Sequence, residues 1–302
     1  METRIMGRTG MKVSALGFGG AETGFHHATV PMATVTNLLN GALDAGVNVI
    51  DTAECYGDGE TQIGRAVGHR RGDYYLFTKV GHGRPAGFDW PDFAPALLEP
   101  SFQRSLKRLR TDYVDLLLLH SCPLEVLRDG RAVGALQKFK KSGATRHIGY
   151  SGDGQAALWA IESGIFDCLE TSVSIADQEA IDLTIPQAQR RGMGVIAKRS
   201  IANAAWITGR KPEDSYAVPY WERLRELQYE FLTWDVAASV AVALRFTLSI
   251  AGVHTVLVGT KKADRWRENV AIAAQGPLEP ALLERIRGRW KAVAGPDWSG
   301  LT

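Results

Sequence analysis

The sequence predicts a (β/α)8 barrel, the TIM-barrel architecture, preceded by an N-terminal β-hairpin. Short apolar runs bounded by glycine or charged residues recur along the chain, and most are followed by a longer segment with helical spacing. Most of these runs are continuously apolar, as expected for parallel strands buried on both faces. The length of 302 residues suits one such barrel with a few extra loops.

The apolar runs predict the strands of the barrel in chain order. They are Ala15–Gly19, Val47–Asp51, Tyr75–Lys79, Val114–His120, Thr145–Ser151, Cys168–Thr171, Gly194–Lys198 and Thr255–Gly259. The segments between them predict covering helices, at Val35–Ala45, Phe102–Leu109, Val133–Lys141, Ala156–Glu162, Ala180–Arg190 and Ala237–Leu244. Ahead of the barrel, Thr3–Val13 carries Gly7 and Gly10 around a turn and predicts a hairpin. Because no proline- or serine-rich linker divides the chain, we expect a single domain over residues 1–302.

The longest segment without a clear element is Ala202–Tyr220, after the seventh predicted strand. Loops that follow strands lie on the catalytic face of a barrel, so we expect this segment to shape a substrate pocket. Aromatic residues in such loops are candidates for the walls of that pocket. They are Phe25, Trp90, Trp206 and Tyr220.

Composition argues against several classes of function. The chain is 45% hydrophobic and 23% charged, with a net charge of +2 and basic pairs that are scattered, so nucleic-acid binding is not expected. The longest strongly apolar run, Val236–Leu244, is shorter than the ~20 residues that a bilayer span needs, and residues 1–10 do not resemble a signal peptide. We therefore expect a cytoplasmic protein without a membrane segment.

The cysteines and histidines do not predict a disulfide framework or a metal site. Cys55, Cys122 and Cys168 are odd in number and far apart, which favours a reducing compartment. His26 and His27 are adjacent but lack an evident third ligand, so no metal is expected.

Polar residues stand where three predicted strands end. Asp51 follows VNVI, Lys79 follows YLFT and His120 follows DLLLL. Tyr56 lies five residues after Asp51, on the loop at the same face. Because the carboxyl ends of barrel strands converge, these four side chains, hereafter the tetrad, are expected to meet.

The tetrad suits the reduction of a carbonyl group. Reduction needs a hydride donor and an acid that protonates the developing alkoxide. Tyrosine has an ordinary pKa of about 10, which a cation such as Lys79 would bring toward working pH. Asp51 would keep Lys79 charged, and His120 would hydrogen-bond the carbonyl oxygen.

The sequence from Gly7 to about Ala274 resembles the aldo-keto reductase superfamily. The similarity lies in NVIDTAECYG, GETQIGRAV, LFTK, SLKRLRTDYVDLLLLH, KKSGATRHIGYS and VLVGTKKADRWREN. Each stretch alone is weakly specific, whereas the set is strongly so. The resemblance assigns the catalytic roles to Asp51, Tyr56, Lys79 and His120.

The same resemblance implies NADP(H) as the cofactor. The cofactor-binding stretch is VGTKKADRWREN, in which Gly259 comes directly before Thr260. Thr260 and Arg265 match the family's ligands of the 2′-phosphate, and Glu268 and Asn269 match its contacts to the adenine. A guanidinium suits this role because its planar fork binds phosphate through two donors.

Three residues depart from the family pattern around the nicotinamide. Ser151 is followed by Gly152 where the family commonly has asparagine, and Glu170 stands where glutamine is usual. Lys198 replaces an aromatic residue that often stacks on the nicotinamide. Glu170 would accept from the carboxamide or pair with a basic residue such as Lys198 or Arg199, and Lys198 would bind pyrophosphate, a substrate carboxylate or a structural partner.

Two other functions stay open at this point. One is a regulatory NADPH-binding sensor with little turnover, which the altered nicotinamide contacts would allow. The other is a barrel aldolase in which Lys79 forms a Schiff base. The partner is expected to be a small carbonyl compound, either apolar or, given Lys198 and Arg199, negatively charged, and the sequence leaves the oligomeric state open.

Overall fold

Eight parallel strands close into a barrel, which confirms the predicted architecture. The computed structural model describes residues 1–24, 30–262 and 264–301. A separate antiparallel hairpin of β1 (Thr3–Ile5) and β2 (Lys12–Ser14) precedes the barrel, as predicted. The barrel strands are β3 (Leu16–Gly19), β4 (Val49–Asp51), β5 (Tyr75–Val80), β6 (Val114–His120), β7 (Thr145–Ser151), β8 (Cys168–Ser172), β9 (Gly194–Lys198) and β10 (Thr255–Val258). Each strand pairs with its chain neighbours, and β10 closes on β3.

Helices surround the barrel at all of the predicted positions. They are α1 (Ala21–Gly24), α2 (Met32–Asp44), α3 (Gly59–Val67), α4 (Pro95–Leu109), α5 (Leu124–Asp129), α6 (Arg131–Ser142), α7 (Gly154–Glu162), α8 (Glu179–Leu183), α9 (Ile185–Arg190), α10 (Val218–Leu227), α11 (Val236–Leu248), α12 (Arg265–Ala274) and α13 (Pro280–Val293). None of the helices among these residues is long and apolar enough to cross a membrane.

Two segments differ from the sequence expectation. The helix expected at 180–190 is divided at Thr184 into α8 and α9, because Pro186 has no N–H to donate and its ring crowds the preceding turn. The segment 202–220 holds a short 3-10 turn at Ala202–Ala204, and its last residues already belong to α10.

The hairpin closes the N-terminal end of the barrel. Met6, Met11 and Val13 are buried in one apolar cluster with side chains of the barrel interior such as Phe77 and Leu116. Apolar burial of this kind is the main favourable term in folding. The opposite end, where the strands finish, is left for polar side chains.

The predicted polar residues lie at or next to the carboxyl ends of their strands, at that end of the barrel. Asp51 is opposite Gly19, His120 is opposite Ser151, and Ser151 is opposite Glu170 on the next strand. Side chains from four strands of the barrel therefore converge at this face.

We expect Gly64→Ala to destabilise the protein, because α3 packs closely on α4 just behind the Tyr56 loop. A Cβ at Gly64 would lie within van der Waals overlap of the Arg108 carbonyl oxygen, at 2.2 Å. Overpacking of this kind costs about 1–3 kcal/mol in the free energy of unfolding, which urea denaturation measures.

Gly41→Ala is the matched control within a helix. A Cβ at Gly41 meets no atom within 4 Å, so the substitution should be neutral or stabilise by up to about 1 kcal/mol. Equal stability of the two variants would contradict the close approach of α3 and α4.

Candidate active site

The tetrad residues meet at the carboxyl end of the barrel. Lys79, on β5, donates a hydrogen bond of 2.5 Å to Asp51 Oδ1, at the end of β4, and one of 3.0 Å to the carbonyl of Thr52. The Lys79 Nζ lies 5.5 Å from the centroid of the Tyr56 ring. The rings of Tyr56 and His120 meet edge to face at 5.7 Å between centroids. The four side chains expected to converge are thus in mutual contact range.

Two carboxylates hold the buried ammonium of Lys79. Besides Asp51, Glu170 Oε1 lies 3.5 Å from Lys79 Nζ, and all three side chains are buried. Burial alone would lower the pKa of Lys79, but the charges of Asp51 and Glu170 raise it above its ordinary value. Lys79 therefore stays protonated and is not an amine nucleophile, which disfavours the Schiff-base alternative.

The Asp51 carboxyl lies in a strongly interacting environment. Burial and the nearby Glu170 raise the pKa of Asp51, whereas Lys79 opposes this shift. Burial and the Glu170 carboxylate therefore disfavour the ionisation of Asp51, and the ammonium of Lys79 favours it.

Glu170 pairs with Lys79 rather than with Lys198 or Arg199, the partners considered from sequence. Its Oε1 also accepts a hydrogen bond of 3.1 Å from Ser151 Oγ. Its Oε2 is buried and lacks a hydrogen-bond partner within the described part of the chain. Such an oxygen can accept from the amide N–H of a nicotinamide.

The pKa of Tyr56 differs from the sequence expectation. Burial raises the pKa of Tyr56 above its ordinary value, and the Lys79 charge, which lowers it, only partly offsets this effect. The expected shift toward working pH is therefore wrong for this structure, because the depth of burial outweighs the cation. The neutral phenol is the form that can give up a proton.

His120 is a neutral imidazole. Burial, together with the nearby charges of Lys79, His82, Lys198 and Arg199, lowers the pKa of His120 well below its ordinary value. A neutral ring can donate a hydrogen bond from one nitrogen and accept at the other, which suits the binding of a carbonyl oxygen.

Two further residues at the site, Glu54 and His82, were not predicted. Glu54 Oε1 accepts hydrogen bonds from the N–H groups of Gly81 at 2.9 Å and His82 at 3.3 Å, which holds the loop after β5. The His82 ring lies 4.8 Å from that of His120. Burial, reinforced by the Glu60 charge, raises the pKa of Glu54 to about 8. Glu54 lies two residues before Tyr56 and His82 three residues after Lys79, and this closeness in the sequence could have indicated that both lie at the site.

The segment after β10 carries Gly259 and Thr260, two of the residues predicted to bind the cofactor. A Cβ at Gly259 would lie 3.2 Å from the Gly19 carbonyl, so the backbone passes closely here. Thr260 Oγ1 accepts from the Lys262 N–H at 3.1 Å. These contacts shape the turn that leads into α12.

The first turns of α12 carry both a cation and an unpaired amide. Arg265 donates a hydrogen bond of 2.5 Å to Glu268 Oε2 in a pair that is largely exposed. Exposed pairs of this kind contribute little stability, so Arg265 can exchange this partner for a phosphate. Asn269 is buried, and its Nδ2 has no hydrogen-bond partner among the residues described.

Lys198 lies at the end of β9 and forms an ion pair with a buried carboxylate. Its Nζ is 3.5 Å from Asp153 Oδ2. Burial would raise the pKa of Asp153, but Lys198 and hydrogen bonds from Thr171 and Ser172 lower it. Arg199, next in the chain, donates to the carbonyl of Leu301, so the C-terminal tail covers this guanidinium.

The substrate-wall candidates have different surroundings. Phe25 lies outside the described residues. Trp90 is exposed and stacks on Phe88 at 5.7 Å, whereas Trp206 donates to Ser239 Oγ at 3.0 Å and packs on the core. Tyr220 is 0% exposed and lies within the core cluster, so it offers no surface to a substrate and that assignment is corrected.

Titration of Glu54 should lower the free energy of unfolding as pH rises from about 4.5 to about 8. Because the pKa of Glu54 is raised by folding, the folded protein binds a proton there that the unfolded chain releases, so rising pH favours unfolding. Glu54→Gln removes this contribution, so its free energy of unfolding should become more favourable relative to that of the wild type as pH rises through this range, as measured by urea denaturation at several pH values. Glu284→Gln, at an exposed position, should keep the wild-type slope. If the free energy of unfolding of Glu54→Gln changed with pH as it does in the wild type, the raised pKa of Glu54 would be contradicted.

Comparisons with known proteins agree with this geometry. Residues 15–291 match the model of the Aldo/keto reductase family. L-galactose dehydrogenase from Arabidopsis thaliana is 29% identical over 288 residues, covering 91% of this chain and 89% of that protein. D-threo-aldose 1-dehydrogenase from a Pseudomonas species is 26% identical over 321 residues, covering 94% of each.

A solved structure extends the likeness to the whole fold. The holo form of an aldo-keto reductase from Bacillus halodurans superposes with a TM-score of 0.84 at 26% identity and covers 99% of both chains. The resemblance inferred from the sequence motifs is thus confirmed. The chain belongs to the aldo/keto reductase family and is an oxidoreductase that reduces carbonyl compounds with a nicotinamide cofactor.

Proposed function

We propose that the protein reduces an aldehyde or ketone to an alcohol with NADPH, and that Tyr56 is the proton donor. The observation that carries this proposal is the contact of Tyr56 with both a buried ammonium and a neutral imidazole. The nicotinamide cofactor supplies the hydride. The chain's own residues orient the carbonyl and supply the proton.

Tyr56 transfers its phenolic proton to the carbonyl oxygen as the carbonyl carbon is reduced. The Lys79 ammonium stabilises the phenolate that remains, since its charge favours that form. Asp51 fixes the position of Lys79 through a 2.5 Å hydrogen bond. His120 hydrogen-bonds the carbonyl oxygen and holds it toward Tyr56, which reduces the entropy cost of reaching the reactive geometry.

The nicotinamide end of the cofactor fits beside Ser151 and Glu170. The unpaired Oε2 of Glu170 is an acceptor for the carboxamide N–H, but an ionised carboxylate has no donor for the carboxamide oxygen. Lys198 is a further cation near this end, since its charge contributes to the lowered pKa of His120. We assign Lys198 to the cofactor side of the pocket, held in place by Asp153.

The 2′-phosphate of NADPH is assigned to the segment after β10. Thr260 supplies a hydroxyl and Arg265 a guanidinium in a weak exposed pair with Glu268. The unpaired Nδ2 of Asn269 suits an adenine nitrogen. Gly259 allows the close passage of the backbone that brings these groups to one turn.

The cellular location is proposed to be the cytoplasm. Cys55, Cys122 and Cys168 are free thiols, as a reducing compartment maintains them. The substrate is proposed to be a small carbonyl compound that enters between the loops after β4, β5 and β6.

Tyr56→Phe should lower kcat for carbonyl reduction by about 10²- to 10⁴-fold, the usual contribution of a general acid. Cofactor affinity should change little, because the proposed cofactor contacts lie on β7, β8 and the segment after β10. NADPH oxidation and cofactor fluorescence titration measure the two effects. Tyr113→Phe removes a hydroxyl at the start of β6, at the other end of the barrel, and should be active. Full activity of Tyr56→Phe would rule out the proposed donor.

Arg265→Ala should weaken NADPH binding by about 10- to 100-fold, since hydrogen bonds to charged groups contribute roughly 1.5–3 kcal/mol. NADH, which lacks the 2′-phosphate, should bind as before. Both dissociation constants are measured at one ionic strength, because salt screens exposed charges.

Arg267→Ala on the same helix is the control for a general loss of positive charge. Arg267 is exposed and is not assigned to the phosphate, so its loss should change NADPH affinity much less. Equal weakening of NADPH and NADH by Arg265→Ala, or a wild-type preference for NADH, would contradict the phosphate assignment.

A further inference from the structure

Three potential metal ligands meet beside the tetrad. They are Cys55, on the loop after β4, His82, on the loop after β5, and His120, at the end of β6. Their ligand atoms all lie within 4.8 Å of one another. We call these residues the thiol–imidazole group. Only His120 belongs to the tetrad.

The spacing of this group fits a tetrahedral ion. Zinc binds sulfur at about 2.3 Å and nitrogen at about 2.0–2.1 Å, which places two such ligands about 3.5 Å apart at a tetrahedral angle. Cys55 Sγ and His120 Nδ1 are 3.5 Å apart. The side chain of His82 is partly exposed and has room to move. A movement of about 1 Å would bring its ring nitrogen to the same spacing from the other two ligand atoms.

His82 is oriented as metal-binding histidines usually are. Its Nδ1 lies 3.0 Å from Asp92 Oδ2, while Asp92 Oδ1 accepts from the Gly83 N–H at 2.7 Å. A carboxylate beside Nδ1 accepts a hydrogen bond from the N–H at that position and leaves the Nε2 lone pair of His82 for an ion.

The three ligands can bind an ion with the release of one proton. A metal binds an imidazole in its neutral form and a cysteine as the thiolate. An ion would therefore deprotonate the Cys55 thiol: the S–H bond breaks, a sulfur–metal bond forms and the proton passes to solvent.

We propose that Cys55, His82 and His120 bind one Zn²⁺ reversibly, with a fourth position open to water, and that the ion inhibits the enzyme. One sulfur and two imidazole nitrogens suit a borderline-soft dication better than Mg²⁺ or Ca²⁺, which prefer oxygen. Inhibition follows because the ion binds His120, the residue that the proposed function assigns to orienting the carbonyl oxygen. That consequence rests on the proposed function, whereas the binding does not.

The proposal departs from the sequence expectation of no metal, which rested on the wide spacing of the three cysteines and on the lack of a third ligand for His26 and His27, two residues outside the described part of the chain. Cys55, His82 and His120 are separated by 27 and 38 residues and do not form a recognisable ligand motif. Three consecutive strands of the barrel bring them together.

Titration of the purified protein with Zn²⁺ alone, followed by calorimetry in a non-chelating buffer, tests the binding. We expect one ion per chain. Co²⁺ in place of Zn²⁺ should give the visible bands of a tetrahedral ion and a near-ultraviolet thiolate-to-metal band. Failure of the wild-type protein to bind one ion, or a Co²⁺ spectrum without the thiolate band, would overturn the proposal.

Cys55→Ala and His82→Gln should each weaken Zn²⁺ by more than about tenfold, because even the loss of a residue that only orients a metal ligand usually costs about 10- to 100-fold. Cys122→Ala, which removes another buried thiol, should bind as the wild type does. Circular dichroism establishes folding, and if Cys55→Ala is unfolded, the partly exposed His82→Gln decides. Unchanged affinity in the folded variants would exclude this group as the ligand set.

Inhibition is measured on the wild-type enzyme as loss of NADPH oxidation with added Zn²⁺ and recovery with a chelator. An ion that binds at one equivalent but leaves turnover unchanged overturns the inhibitory part. Absence of carbonyl reduction in metal-free protein would count against the proposed function, and the calorimetric result would still decide the metal site.

Discussion

The structure of the site depends on the burial of one ammonium group. Removing an ion from water costs several kcal/mol unless partners of opposite charge compensate. Lys79 meets this requirement with Asp51 at 2.5 Å and Glu170 at 3.5 Å. These carboxylates come from β4 and β8, which are separated in the barrel, so strand order and register must both be correct for Lys79 to remain charged.

The charge of Lys79 affects both the proposed proton donor, Tyr56, and the orienting residue, His120. Lys79 counteracts the burial of Tyr56 by favouring its phenolate, and it disfavours the protonation of His120. One buried cation therefore favours the release of the Tyr56 proton and keeps the orienting imidazole neutral. In the same way, Glu170 serves Lys79 through one oxygen and leaves the other for a cofactor. The glutamate that departs from the family pattern is thus part of the charge balance of the site.

Much of this arrangement was predictable because the barrel separates apolar strands from polar strand ends. Asp51, Lys79 and His120 each follow a continuous apolar run, and the strand pattern places all three at one face. The partner of Glu170 was not predictable, since 91 residues separate it from Lys79 and their contact depends on barrel closure. The direction of the pKa shift of Tyr56 was not predictable either, because it depends on how deeply the phenol is buried, and a sequence motif does not give that depth.

Other differences have local causes. The break between α8 and α9 follows from Pro186, which the periodicity of the apolar residues conceals. Tyr220 was assigned to a pocket wall because its helix was read as a loop, but the helix turns its ring into the core. Cys55 and His82 have no shared motif, and only the adjacent loops after β4 and β5 bring them to His120.

The charge state of Lys79 can be observed directly by heteronuclear NMR of protein labelled with ¹⁵N-lysine, with Lys79→Met used to assign the signal. The two carboxylates should keep Nζ as an ammonium over the whole pH range in which the protein stays folded. Substituting both partners, as Asp51→Asn with Glu170→Gln, should lower the pKa of Lys79 because burial then acts without compensation. A neutral Lys79 amine in the wild-type protein at neutral pH would contradict the account.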